Sequence, residues 1–519
     1  MKFLFPVSTR FGTILLFYVF TLPQNASAGP LQAKQLSGLF PEADLQLNPL
    51  NIQPKIQPDN SVINTFPEQM LKVDYRANTP MAEHRNQPNY QNCLSHAALK
   101  QGQTLELIQA VEKAVCHNPE THNAWIQMRI QAARLGMSRS AYYPQVNTTL
   151  YYNWGKDHYQ VTDRRDLSYD TDTRRYGASI QANWLIYDFG VRKYQYSEAE
   201  NLLTMSLAQQ DNVLQSIILK TISAYYAVLQ QELKLDNLQQ VVLLAVRNHD
   251  IALARYKAGV GIKSDELQMA ANLAKAKSDQ TKLLGDLKIA KGQLSILMGE
   301  PAYQDFNLNS QLKIPMTLDL KPIDALIKQA IEMHPRFKAA RFAIEAAKDK
   351  VQSVKKSRYP ALSFMSSYNN SEQIGESPFA NNTQQIQAGI QLTVPLFDGF
   401  NRKHQIDEAK QTLHLKQVEE EQLKQEIPME IWRIYNKLQA THENIKALST
   451  LNDSAEQAYE VIQGRYKAGV GNLLEVINAQ NLLTEAKMNY ATTLTDFLVL
   501  RYQLLSNLGN LNIQAAEDK

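Results

Sequence analysis

Arg255-Tyr256-Lys257-Ala258-Gly259-Val260-Gly261 occurs again, letter for letter, as Arg465-Tyr466-Lys467-Ala468-Gly469-Val470-Gly471, 210 positions downstream. A seven-letter identity inside one chain marks a duplication, so the fold has to be read as two copies of one unit. Flanking letters keep the same spacing. Asp188-Phe189-Gly190-Val191-Arg192-Lys193 aligns with Asp398-Gly399-Phe400-Asn401-Arg402-Lys403, and Gly299 aligns with Gly509. Upstream, Pro119 and Tyr143-Pro144 align with Pro335 and Tyr359-Pro360 at a spacing of 216. The difference predicts an insertion or deletion between the Tyr-Pro and Asp-Gly regions, where a loop would lie.

A long helical stretch precedes each heptapeptide. Arg192–Tyr256 contains neither proline nor glycine, and at about 1.5 Å per residue it extends on the order of 100 Å. Leu214, Ile217, Thr221, Ala224, Val228, Gln231, Leu235, Leu238, Val242 and Ala245 recur at 3-4 spacing, the pattern of coiled-coil packing. After the heptapeptide Leu273, Ala276, Gln280, Leu283, Leu287, Ala290, Leu294 and Leu297 continue it. The many Ala, Thr and Gln residues predict close, shallow packing. Arg402–Tyr466 is the second long helix, and Pro428 within it predicts a kink. Ala-Gly-Val-Gly sits between each long helix and its return helix, where two glycines permit a sharp reversal. No strand precedes it and no Lys-Ser/Thr pair follows, so it is not a phosphate-binding loop. A tight helical hairpin leaves Val260 and Val470 exposed at rigid tips, as apolar docking knobs.

Each unit opens differently. Leu105 to about Ser140 reads as helix, with Thr104 as N-cap, Leu107, Ala110, Val111 and Ala114 on one face, and a break at Asn118-Pro119. The period then changes to two. Val146, Thr148, Leu150, Tyr152 and Trp154 share one strand face, and Tyr176, Ala178, Ile180, Ala182, Trp184 and Ile186 share another. In the second unit Ile386, Ala388, Ile390, Leu392 and Val394 oppose Gln387, Gly389, Gln391 and Thr393, with a weaker partner at Leu362–Tyr368. One apolar and one small-polar face, with aromatic residues near strand ends, fits lipid outside and water inside. For the strands taken alone, a soluble sandwich with its apolar faces packed together is the favoured reading. The polar connections Gly155–Arg174 and Asn369–Thr383 read as exposed loops.

The ends and composition narrow the class. Lys2 and Arg10, a short apolar run Thr13–Leu22 and Ala26-Ser27-Ala28 read as a secretory signal, so the mature chain begins near Gly29. No later stretch has eighteen consecutive apolar residues, so no transmembrane helix is expected, which leaves a β-barrel open. A net charge of +3 gives no case for nucleic-acid binding. The two cysteines, Cys93 and Cys116, read most simply as a disulfide in an exported chain, with a free pair or a metal site as alternatives. Gly29–Gln91, rich in Pro, Asn and Gln, reads as an extended arm. His117 and His122 lack a metal-binding register and no nucleophile motif is visible, so neither enzyme chemistry, nor a metal, nor a cofactor is expected.

From about Leu105 to Leu511 the chain resembles the TolC family of outer-membrane efflux and secretion channels. The resemblance is carried by the duplicated unit, the Tyr-Asp-Phe-Gly and Phe-Asp-Gly-Phe strand exits, the two Gly-Val-Gly tips and Leu474-Glu475-Val476-Ile477-Asn478-Ala479-Gln480. Cys116-His117-Asn118-Pro119 is similar to a subgroup tied to type I protein secretion. The resemblance implies a mainly α fold with a small β-barrel contribution, built from a duplicated helix–β-hairpin–long helical hairpin unit. Residues 1–28 are then signal peptide, 29–103 the arm, 104–300 repeat 1 with its hairpin at about 145–187 and tip at 258–261. Residues 301–321 are an equatorial linker, 322–511 repeat 2 with its hairpin at about 361–396 and tip at 468–471, and 512–519 a tail. Four strands cannot close a barrel in lipid. A homotrimer would supply a 12-stranded outer-membrane β-barrel continuous with a 12-helix periplasmic α-barrel.

Function and partners follow from the same resemblance. The chain would be a passive exit duct of a tripartite export system, for type I protein secretion or multidrug efflux. Its partners would be outer-membrane lipid, a periplasmic adaptor (membrane fusion) protein and an inner-membrane ABC or RND transporter, with no nucleic acid. Gly259, Val260, Gly261, Gly469, Val470 and Gly471 would be adaptor-docking tips. Asp265, Tyr466, Glu475 and Asn478 would form the periplasmic gate, resting on an Asp265–Tyr466 hydrogen bond because Gly471 stands where an arginine partner is found in the family. Asp265 and Glu475 also read as ordinary acidic charge at helix N-termini. The competing readings are an exported soluble coiled-coil scaffold and a self-sufficient porin or adhesin.

Overall fold

The structure, a computed structural model, describes residues 104–309, 320–374 and 382–513. The signal segment, the arm with Cys93, and the tail beyond residue 513 lie outside the described residues, as does part of the linker.

Repeat 1 runs β1 (Thr104–Leu105), α1 (Leu107–His117), α2 (Pro119–Ser140), β2 (Gln145–Tyr159), β3 (Tyr169–Tyr187), α3 (Val191–Lys257) and α4 (Lys263–Leu297). After β4 (Asn307–Leu308), repeat 2 runs α5 (Ile323–Met333), α6 (Pro335–Lys356), β5 (Ala361–Ile374), β6 (Asn382–Thr393), α7 (Asn401–Lys467) and α8 (Leu473–Asn507). Every helix start and end in repeat 2 falls at the sequence offsets, 216 for α1, α2 and β2, and 210 from α3 onward. The register agrees: Gln145 opposite Asn183 in β2–β3 becomes Ala361 opposite Thr393 in β5–β6 under the same two offsets. The six-residue difference therefore falls in the hairpin connections.

Local chemistry explains the boundaries. Proline opens both second helices, and the preceding residue caps each: Asn118 Oδ1 accepts from Glu120 N–H at 2.8 Å, and His334 Nδ1 from Arg336 N–H at 3.1 Å. Glu106, not Thr104, is the N-cap of α1, and its N–H donates to Gln109 Oε1 at 3.3 Å. Thr104 instead belongs to β1, which pairs in parallel with β4 across the linker. At both strand exits two successive residues take positive φ, Phe189 and Gly190 in one repeat, Gly399 and Phe400 in the other. Asp188 holds the first exit by accepting from the N–H groups of Gly190 and Arg192 and pairing with the Arg192 guanidinium at 2.9 Å. Asp398 and Arg402 repeat that pair at 2.6 Å.

The four long strands form one sheet in the order β2-β3-β5-β6, all antiparallel. The hairpins are longer than the periodicity indicated: β2 and β3 continue through the charged residues 155–159 and 169–175, leaving a connection of residues 160–168. Val146, Leu150, Tyr152, Trp154, Ile180, Trp184, Ile386, Ile390 and Leu392 are all exposed. Among the described residues no second sheet covers them, so the packed-sandwich alternative fails. No helix among the described residues is long and apolar enough to cross a membrane.

At 67 residues each, α3 and α7 span on the order of 100 Å. The helix α7 runs continuously through Pro428. Two seams, not one, are buried on α3: Leu214, Ile217, Thr221 and Val228 form the expected stripe, and Ile218, Ile222, Tyr225 and Leu229 lie beside it. Two seams allow a helix to pack on neighbours to both sides, and α3 packs on α2 and α4 of its own repeat and on α6 and α8 of the other. Gly299 and Gly509 close each equator by close approach; a Cβ there would sit 2.6 Å from His117 and 2.8 Å from His334.

Candidate functional site: the helical tips

Both tips are the same turn. Gly259 and Gly469 take φ of 73° and 84°, the left-handed region that glycine enters without penalty. The Val260 N–H donates to Arg255 O and the Gly259 N–H to Tyr256 O, a helix-terminating pair of crossed bonds. Val470 and Gly469 repeat these bonds to Arg465 and Tyr466. The next residue therefore points outward, and Val260 and Val470 are 68% and 71% exposed. Gly261 and Gly471 are needed for a different reason. A Cβ on Gly471 would lie 2.6 Å from Tyr466 N, and one on Gly261 3.0 Å from Arg255 Cβ. No side chain fits at Gly471 in this backbone, let alone an arginine.

The sequence gate residues meet only in part. Tyr466 is 2% exposed and its hydroxyl has no hydrogen-bond partner among the described residues. Burial chiefly, then the nearby Asp265 charge, pushes its pKa up, while Arg255 opposes the shift. Asp265 thus stands near Tyr466, but the expected Asp265–Tyr466 hydrogen bond is not made within the chain. Asp265 is half-buried in the first turn of α4, and Glu475 and Asn478 are exposed on the first turns of α8. Glu475 lies 3.9 Å from Arg465.

What joins the two tips is a residue the sequence reading passed over. Arg255 Nη1 donates to Tyr466 O at 2.7 Å, and its guanidinium lies over the Tyr466 ring at 5.0 Å. One arginine on repeat 1 therefore caps the last carbonyls of α7 on repeat 2, where the helix end is negative. About three turns back from the tip a buried polar network adds to it. Asn248, fully buried, donates to Tyr459 Oη at 2.9 Å and Gln480 Oε1 at 3.0 Å. Gln463 donates to Asn248 Oδ1 at 2.8 Å and Tyr459 Oη at 2.9 Å. A usable signal was present, since Asn248 continues the buried stripe Leu238, Val241, Ala245, where a polar residue needs a partner.

Cys116 is disulfide-bonded, and Cys93 lies outside the described residues. His117 Nδ1 lies 3.1 Å from Lys113 O, one turn back along its own helix.

The profile of the outer membrane efflux protein family matches residues 110–300 and 326–510. Protein CyaE of Bordetella pertussis is 25% identical over 409 residues, 78% of this chain and 84% of that protein. Outer membrane efflux protein BepC of Brucella suis is 24% identical over 426 residues, 79% of this chain and 88% of its own length. Among solved structures the outer-membrane channel OprN superposes with a TM-score of 0.68 at 16% identity, covering 83% of this chain and 94% of OprN.

Proposed function

Because the chain belongs to the outer membrane efflux protein family, and is thus an outer-membrane channel with a helical periplasmic part, we propose that it is the exit duct of a tripartite export system. In this reading three copies close the channel. A periplasmic adaptor docks on the exposed Val260 and Val470 tips and links the duct to an inner-membrane ABC or RND transporter. The observation that carries the proposal is one apolar-faced sheet of four strands joined to two helical hairpins with 67-residue arms. The sheet is too narrow to close on its own, and the hairpins are long enough to reach partners far from the membrane. The cargo is a large protein or a small molecule, for type I secretion or multidrug efflux.

Replacing both Val260 and Val470 with Asp tests the docking. Export is expected to fall to the level of a deletion strain, while heat-resistant trimers persist in the outer-membrane fraction. Normal export by the double variant would move docking elsewhere. Monomers in mild detergent by light scattering would instead favour the soluble scaffold. In a deletion strain, loss of a secreted protein from the medium marks type I secretion, and new drug sensitivity marks efflux.

A further inference from the structure

The heptapeptide is present twice, but the contact that Arg255 makes is present once. Arg255 of repeat 1 caps Tyr466 of repeat 2. The residues at the same two places in the other order are Arg465 of repeat 2 and Tyr256 of repeat 1. Within one chain they cannot meet, because repeat 1 precedes repeat 2 around the sheet. Their state shows it. Tyr256 is 41% exposed against 2% for Tyr466, and the Arg465 side chain is 55% exposed and lies 3.9 Å from Glu475.

The rest of the chain repeats this one-sided pattern. Among the described residues β3 pairs with β5 across the repeats, and β6 and β2 have no outer partner. Ala208 is buried on α3, which packs on α6, and Ile222 is buried in a cluster with Val111 and Val115 of α1 and Tyr502 of α8, while their counterparts Val418 and Trp432 on α7 are exposed. Ala346 and Ser353 are buried on α6, and their counterparts Ile130 and Met137 on α2 are exposed. Uncovered apolar positions thus lie on both repeats, at places that are covered where repeat 1 meets repeat 2. A second copy of this chain, placed as repeat 2 stands to repeat 1, covers both.

We propose that Arg465 donates to the Tyr256 carbonyl of the next copy, and that the tip ring opens at this junction between chains, not at the junction within a chain. The inference rests on the trimeric-duct reading. Its second half comes from where the duplication fails. The junction within a chain has the arginine bracket plus the network of Asn248, Tyr459, Gln463 and Gln480, with Asn272 3.4 Å from Gln480. At the junction between chains the same places hold Ala458, His249, Leu253, Ala270 and Leu482. Four of the five cannot donate or accept through a side chain. His249 faces Glu266 of its own repeat, 3.7 Å away, with Asp250 at 3.7 Å. Among these contacts near the tips, the arginine bracket is the one that the repeat carries over to the junction between chains; farther from the tips, the Lys350–Glu198 pair has Arg134 and Glu408 at its counterpart places. At the tips, the junction within a chain would survive loss of the bracket; the other would not.

Two measurements on the full-length chain test this. With Tyr256→Cys and Arg465→Cys together, a bifunctional thiol cross-linker about as long as an arginine side chain is expected to give a covalent trimer on a denaturing gel, because a direct disulfide is too short to replace the arginine. Arg255→Cys with Tyr466→Cys should stay at monomer size, since that link lies within a chain. Monomer-sized Tyr256→Cys/Arg465→Cys protein, in a preparation that light scattering shows to be trimeric, overturns the bracket. In planar bilayers Arg465→Ala should raise resting conductance about tenfold, a factor equal to about 1.4 kcal/mol, near the value of one hydrogen bond to a charged group. Arg255→Ala should change it less than Arg465→Ala. Equal or greater opening by Arg255→Ala overturns the choice of junction. Wild-type protein that is monomeric and never conducts defeats the duct reading itself, a separate result from either.

Discussion

At the scale of single residues, backbone approach decides what the tips tolerate. Gly471 and Gly261 occupy the same letter of the repeat, yet a Cβ would meet backbone at 2.6 Å in one and a side-chain carbon at 3.0 Å in the other. Gly471→Ala should cost about 1–3 kcal/mol of local stability, and Gly261→Ala less. Hydrogen exchange at the Val470 amide, compared with Val260, reads the ranking; equal protection in the two variants would count against it. His334 supplies a second test. It stands where repeat 1 has Asn118 and caps α6 through an unprotonated Nδ1. Burial, then the Arg336 charge, pushes its pKa down to about 4. The unfolded chain takes up this proton near pH 6.5, which the folded chain refuses until about pH 4. Stability is thus complete above about pH 6.5 and declines as the pH falls to about 4, by roughly 3 kcal/mol per chain. His334→Asn, copying the sister cap, should flatten that window in thermal melts taken from pH 7.5 to 4.5. An unchanged slope would mean that other groups carry the acid response.

At the scale of elements, the hairpin tips are held by pairs of helices whose polar contacts are few and buried. Asn248→Ala would leave the Tyr459 hydroxyl and the Gln480 amide without their shared partner. A loss of about 2–4 kcal/mol in the tip region is expected, read as faster hydrogen exchange in α7 near Tyr459 with the sheet unaffected. Protection equal to wild type would show that water replaces the amide. The helices were legible before the structure because proline, glycine and 3-4 spacing mark their ends and faces independently. Only one of the two seams of α3 was read, since a single-seam template absorbs Leu214 and Ile217 and then ignores Ile218 and Ile222. The strands were read too short for a related reason. Lys156, Asp157, Asp170 and Asp172 lack apolar alternation, but hydrogen bonding along the ladder continues through them regardless of side-chain polarity. Arg255 is not legible in the heptapeptide, because a side chain that caps another helix leaves no periodic trace. The Asp265–Tyr466 hydrogen bond was an expectation from family likeness, and geometry within the chain offers the Tyr466 carbonyl to an arginine instead.

At the scale of the whole molecule, the internal register fixes how copies should meet. Where β3 pairs with β5, Ile180 stands opposite Tyr368 and Ser179 opposite Asn369. Moving repeat 1 onto repeat 2 and repeat 2 onto the next repeat 1, by the same two offsets, puts Ile390 opposite Tyr152 and Gly389 opposite Asn153 of a neighbouring copy. The faces agree: Ile390 and Tyr152 are both exposed apolar residues, 70% and 66%, on the side of the sheet that carries the other apolar positions. Nothing in the offsets required that agreement, because a slip of one residue would set Ile390 against a residue of the opposite face. A barrel closed in this way has no free edge, the condition for a sheet to stand in lipid. Ile390→Cys combined with Tyr152→Cys should therefore join copies through a short thiol cross-linker in intact outer membranes. Ile390→Cys with Asn153→Cys should not, since those side chains point to opposite sides of the wall. The reverse result would place the seam one residue away. It would also break the correspondence between repeats on which both the seam and the arginine bracket depend, so this pair of variants tests the duplication as an assembly rule and not only as a feature of one chain.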